Sequence, residues 1–433
     1  MTNSDVSFAP QLIPQKVRRL PWAIAYSMCN SVMSAFIMSG SVFVLFMDRL
    51  GLPKSRIGFI LSLFPFCGLL AIPMGVVVGR FGAKRTFTLC FGARNFVIAL
   101  LAASPWVASL GGVPAVATFV SVVMVVFTVM RAIGETGYYP WFQEFCPDAV
   151  RGRFLSVQQI LVTATGAVSL WLAGYVIDHA QGITGYQILI LLGSAAGLVS
   201  VLVISPVPGG SPAGESMNWG SYRREIVSAL GDRNFLLYLA VVSAYTLGAA
   251  AFSFVPLFMR EQVGLSSALV VRLESASLVG GIVGGLVLGR LTDRHGGKPV
   301  LLVGALCAAI LPVAWIIMPR HGYWSVVVAC LASVWLGMAG ACVGIGSTRL
   351  LFSEIIPVEG RMGYSAVNYA FCGLIGGIGP LAAGWALVHT TAIRGRFLGL
   401  NMDPYMPLFV VSVTMMLLSA FLCRLIRPRP ACS

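Results

Sequence analysis

Arg131 and Glu135 stand four residues apart inside a long apolar run, where two opposite charges on one helical face neutralise each other. One such charge left alone in a membrane would cost at least about 2.5–3.5 kcal/mol. The chemistry the pair offers is recognition. A guanidinium presents a fork of donors to a carboxylate or phosphate, and Glu135 is a carboxylate able to take up and release a proton. Arg94 and Asn95 form a second polar step in the preceding apolar run. Bond-breaking chemistry finds no support. The phosphate loop GxxxxGK(S/T), HExxH and GxSxG are missing from the sequence. The four histidines (179, 295, 321 and 389) fall at or near the ends of apolar runs. Ten cysteines form neither a CxxC pair nor a Cys/His set with metal-ligand spacing. No metal, no cofactor and no enzymatic activity are expected.

The elements that position these residues are membrane helices. Twelve apolar stretches fill the chain, each long enough to match the hydrocarbon thickness of a bilayer: 21–47, 57–78, 86–108, 114–145, 154–177, 186–205, 235–259, 266–289, 299–318, 323–353, 364–389 and 405–425. Charged residues make up 10% of the chain, against about a quarter in soluble domains. The reading is an all-α integral membrane protein of two six-helix bundles, 21–205 and 235–425. They are joined by a polar loop, 206–234, and flanked by tails 1–20 and 426–433.

The first stretch lacks a small-residue cleavage site and reads as a retained span. With the N-terminus cytoplasmic, eighteen Lys and Arg fall on the cytoplasmic side and eight on the other. Both termini are therefore expected inside the cytoplasmic (inner) membrane. The net charge of +14 follows from that asymmetry and from attraction to membrane lipids; nucleic acid is not an expected partner.

The halves repeat. Residues 166–175 (GAVSLWLAGY) match 376–385 (GGIGPLAAGW), and Glu144 to Arg151 matches Glu354 to Arg361, both at an offset of 210. Gly75, Arg80, Gly82 and Lys84 match Gly289, Arg294, Gly296 and Lys298 at an offset of 214. Order and spacing point to a duplicated six-helix unit.

These features resemble the major facilitator superfamily of secondary transporters, whose loop pattern GxxxD(R/K)xG(R/K)(R/K) is matched by residues 289–298 except at Gly297. The first copy departs from it, with Gly79 where the acid belongs. The resemblance implies alternating access of the rocker-switch kind, with Asp293 as a conformational latch in the loop. It also implies a cavity lined chiefly by the first, fourth, seventh and tenth spans.

Arg131 resembles the family's fourth-span arginine. With Glu135 it is expected to bind solute near mid-membrane, joined by Asn30, Ser34, Tyr245 and Trp335 and by the repeat-related pair Gln158 and Asn368. The third span is peripheral in such folds. Arg94 is therefore expected to reach toward the cytoplasmic surface or to pair with Glu135 from behind. The expected function is transport, by a monomer, of a small polar or anionic organic solute, with protons as the coupling ion. Proton-driven efflux of amphipathic compounds, or a non-transporting sensor or assembly protein of the same fold, are the alternatives.

Overall fold

A backbone in lipid must satisfy its own hydrogen bonds, and the chain does so with helices almost throughout. The computed structural model describes residues 9–427, except 39, 71–73, 75–77, 79–80, 212–218, 357–360, 394 and 398–399. Gly75 and Arg80 of the loop motif fall outside these residues, as do the side chains over 288–295, which include Gly289, Asp293 and Arg294.

In the first half, α1 (Ala9–Met33) runs through a π turn, Ser34–Met38, toward α2 (Gly40–Arg49). Then come α3 (Lys54–Cys67), α4 (Ala83–Ala99), α5 (Ser104–Phe145), α6 (Asp148–His179) and α7 (Thr184–Ile204). The linker contributes α8 (Trp219–Gly231). The second half holds α9 (Arg233–Ala249), α10 (Val255–Glu261), α11 (Ser267–His295), α12 (Gly297–Ile316), α13 (Tyr323–Arg349), α14 (Arg361–His389) and α15 (Met406–Leu425). A short antiparallel hairpin, β1 (Gly395–Phe397) with β2 (Leu400–Met402), precedes α15.

Among the described residues, ten helical runs are long and apolar enough to cross a membrane. One of them, Ala83–Phe145, is 63 residues long and contains both the third and fourth expected spans. It bends at Gly112, whose φ of 67° breaks the helical path just before Pro114.

The near end of the molecule, where the first membrane helix begins and the last one stops, is tied within each half. Lys84 donates to the Val207 carbonyl at 2.7 Å, and the Trp141 indole to that of Pro208 at 2.9 Å. Lys298 donates to the carbonyls of Arg424 and Ile426 at 2.9 and 2.7 Å. The sequence repeat reappears as geometry. Gly82 and Gly296 both cap the helix that follows with left-handed φ, 90° and 84°, a conformation that a side chain resists. Repeat-related Glu144 and Glu354 each accept a backbone N–H, from Gly210 at 2.6 Å and Gly297 at 2.5 Å.

The far end is tied between halves. Lys54 meets Glu261 at 2.6 Å, Arg272 meets Asp178 at 3.4 Å, and Arg260 pairs with Asp48. Half-exposed pairs contribute about 0–1 kcal/mol each, so packing carries the closure. One buried cluster joins Phe43, Phe46 and Ile57 to Phe254, Phe258 and Leu387. Within that seam α3 and α14 approach backbone to backbone. A Cβ on Gly58 would lie 2.4 Å from the Pro380 carbonyl and 3.0 Å from the Gly384 Cα.

Candidate functional site

A cavity of about 670 Å³ opens among α1, α3, α4, α5 and α6 of the first half. Its charged lining residues are Arg94, Arg131 and Glu135, so it carries one net positive charge. Aromatic side chains wall much of the rest, among them Tyr26, Phe64, Phe127 and Tyr138.

Arg131 and Glu135 lie one turn apart on α5, which brings the guanidinium to 2.8 Å from the carboxylate. Their side chains are 31% and 41% exposed, so the pair faces the cavity and is open to a solute. The Arg131 guanidinium also lies 4.7 Å from the centre of the Phe64 ring, a cation–π contact that fixes its plane.

Arg94 departs from the expectation drawn from sequence. Its side chain is 3% exposed and does not reach a surface. The guanidinium lies 3.5 Å from the centre of the Phe91 ring and 5.5 Å from that of Phe127. It donates to Asn30 Oδ1 on α1 at 2.7 Å, while its Nε is buried without a partner. No carboxylate among the described residues lies within ion-pair distance of it. A buried cation without a counter-charge is costly, and an anion in this cavity would remove that cost. Depth was the sequence signal that could have placed it. Arg94 is eleven residues into α4, or about 16 Å at 1.5 Å per residue, too far to snorkel back to the near end.

Polar residues on α1 and α6 complete the lining. Asn30, Ser31 and Ser34 face the cavity from α1 and the π turn, and Gln158 and Gln159 from α6. Ser31 donates to the Val162 carbonyl at 2.9 Å and Gln158 Nε2 to Ser27 Oγ at 2.5 Å, which binds these two helices together beside the arginines.

The second-half candidates are not brought here. Trp335 turns its indole to the Cys307 carbonyl of α12, at 2.8 Å, and is 38% exposed. Tyr245 packs against the buried cluster of Ala308, Ala309, Ala339 and Met416. Asn368 contacts Cys372 of its own helix, so repeat symmetry with Gln158 does not extend to a shared cavity. A separate hollow of about 680 Å³ runs along α13 and the π turn Leu350–Ile355, lined by Thr348, Arg349 and Ser353 among others.

Against known proteins, the family model of the Major Facilitator Superfamily matches residues 24–380 and 237–431. The ectoine/proline transporter ProP of Corynebacterium glutamicum is 27% identical over 358 residues, 75% of this chain and 68% of that protein. The gallate transporter of Pseudomonas putida is 26% identical over 140 residues, 32% of this chain and 30% of that protein. Among solved structures, a bacterial homologue of the iron transporter ferroportin in an inward-facing state aligns with a TM-score of 0.72 at 13% identity, covering 94% of this chain and 98% of that one. A D-xylose-proton symporter aligns with a TM-score of 0.68 at 15% identity, covering 95% and 97%. At these identities the solved structures speak for the fold alone.

Proposed function

We propose that this chain, which belongs to the Major Facilitator Superfamily and is a secondary transporter, moves a small organic solute bearing one carboxylate through the cavity of its first half. The observation that carries this reading is the charge of the cavity: two guanidiniums face one carboxylate, and the guanidinium without a carboxylate partner is Arg94. A monoanion seated there would neutralise the site, and the aromatic walls suit an apolar or ring-shaped body behind the anionic group.

The relatives named for ectoine, proline and gallate support a solute held by its carboxylate; gallate is also a net anion, whereas proline and ectoine are zwitterions. In this scheme Arg94 anchors the substrate. Arg131 is shared between substrate and Glu135, which gives way to the incoming carboxylate. The near end is the cytoplasmic end, so the closed far end and its cross-half ion pairs describe an inward-facing stage of a rocker-switch cycle.

The test is uptake into proteoliposomes of a panel of radiolabelled carboxylates that includes proline, ectoine and gallate, beside neutral sugars and amines, with and without a pH gradient. Accumulation of a carboxylate, abolished in Arg94→Met and Arg131→Ala, supports the reading. Accumulation of neutral or cationic solutes alone would overturn it.

A further inference from the structure

The start of α2 engages a second carboxylate, far from the arginine pair in sequence. The amides of Gly40 and Ser41 lie in the first turn of α2. They are taken by Glu274, on α11 of the other half. Gly40 N–H donates to Oε1 at 3.2 Å and Ser41 N–H to Oε2 at 2.9 Å, while the Ser41 hydroxyl also donates to Oε2. Glu274 lies seven residues below Ser267 at the far end of α11, about 10 Å into the membrane. Beside it is a hollow of about 150 Å³ walled by α2, α10, α11, α12, α13 and the turn before α10. Among the described residues, Glu274 is the one titratable side chain that lines this hollow; the rest of the wall is apolar groups, the hydroxyls of Ser41, Ser277 and Ser333, and Trp315. The nearest charges in sequence on α2, α10 and α11 are engaged at the far end, Asp48 with Arg260 and Arg272 with Asp178.

We propose that Glu274 is the site of the coupling proton, and that this proton weakens the closed far end; the proposal rests on the reading of this chain as a proton-coupled carrier. The contacts from Gly40 and Ser41 point donors at the carboxylate. A proton on Oε2 takes a lone pair from an oxygen that already accepts two donors, and a proton on either oxygen removes the charge that strengthens these bonds, so the protonated acid holds the set more weakly. With the far end open, Glu274 is parted from its donors and takes a proton from the outer water. Closure returns the donors and favours the ionised acid, so the O–H bond on Glu274 breaks as its proton passes to water in the adjoining hollow. With the outer route packed shut, that water passes the proton toward the cytoplasmic side, one proton per cycle. Helix α1 links this latch to the substrate. It carries Asn30, the partner of Arg94, and leads through the π turn to Gly40, so a solute that draws Arg94 from Asn30 acts on the element that Glu274 holds.

The test compares wild type with Glu274→Gln, nearly isosteric, and Glu135→Gln in lipid nanodiscs and proteoliposomes. Hydrogen exchange at the far ends of α3 and α14, corrected for intrinsic rate, reads gate opening without any substrate. Wild-type exchange should rise as pH falls. In Glu274→Gln it should be raised about tenfold or more and be flat with pH, the scale of one charge-assisted hydrogen bond lost from the closed state. Carboxylate exchange between inner and outer pools should persist in this variant while the proton flux that accompanies uptake is lost. Wild-type, pH-dependent exchange in Glu274→Gln would overturn the proposal, as would a pH dependence that vanishes only in Glu135→Gln. Failure of the whole carboxylate panel would strike the substrate reading and leave the gating result to stand on its own.

Discussion

Replacing Arg94 by methionine separates a substrate anchor from a structural arginine, because the two roles predict opposite effects on stability. Methionine keeps an apolar contact with Phe91 and Phe127 and removes the charge. The loss on folding is the bond to Asn30, whose Oδ1 then lacks this donor, a cost of about 1–3 kcal/mol. Against it stands relief of a buried guanidinium with no carboxylate partner, worth several kcal/mol of desolvation. The melting temperature should therefore hold or rise. Binding should move the other way. A carboxylate on Arg94 makes at least one charge-assisted hydrogen bond, about 1.5–3 kcal/mol, so its loss weakens Kd about 10- to 150-fold. Isothermal calorimetry on the carboxylate that wild type accumulates, beside a thermal melt of the ligand-free protein, measures both. A variant that melts several degrees lower, or that binds like wild type, refutes the assignment.

Arg131→Lys should keep fold and charge but lose the fork that grips a carboxylate, weakening binding about tenfold by calorimetry. Glu135→Gln should leave Arg131 to the substrate without a competing carboxylate, so binding tightens by calorimetry while concentration against a pH gradient persists; loss of concentration in this variant would move the coupling proton from Glu274 to Glu135. Gly58→Val places methyl groups where a Cβ alone lies 2.4 Å from the Pro380 carbonyl. Overpacking of about 1–3 kcal/mol in the closed far end should slow counterflow about fivefold or more without changing Kd, and an unaltered rate would mean that the α3–α14 seam does not close during the cycle. Asp293→Asn should slow transport with affinity and folding near wild type; a wild-type rate would leave the loop a determinant of topology only.

Hydrophobic runs and duplicated loop glycines made the helical fold legible, because lipid permits few backbones and the cap at Gly82 and Gly296 needs a left-handed φ. The i, i+4 spacing of Arg131 and Glu135 likewise fixed their contact in advance, since one helical turn joins them whatever surrounds α5. Arg94 was misread because a helix's position in a bundle says which neighbours it has, whereas the rotation of α4 about its own axis decides which way its arginine points. That rotation is set by packing of Phe87 against Tyr26 and Tyr138, with Phe91 against Phe87. Trp335 and Asn368 lie away from this cavity for a related reason. Position in a span and repeat symmetry place residues at a common depth, but neither residue is among those that line the first-half cavity. The latch at Glu274 was not visible at all, since its partners are backbone amides of α2, 233 and 234 residues away.

The central claim is that the transported solute is held by its carboxylate in the first half, and a structure of the protein with that solute bound tests it most directly. Electron cryomicroscopy in nanodiscs, with the carboxylate that the proteoliposome panel identifies, should show its carboxylate oxygens within about 3 Å of guanidinium nitrogens of Arg94 and Arg131. The body of the solute should lie against the rings of Phe64 and Phe127. Density for the solute against α9 and α13, beside Tyr245 or Arg349 and with both first-half arginines uncontacted, would contradict the account.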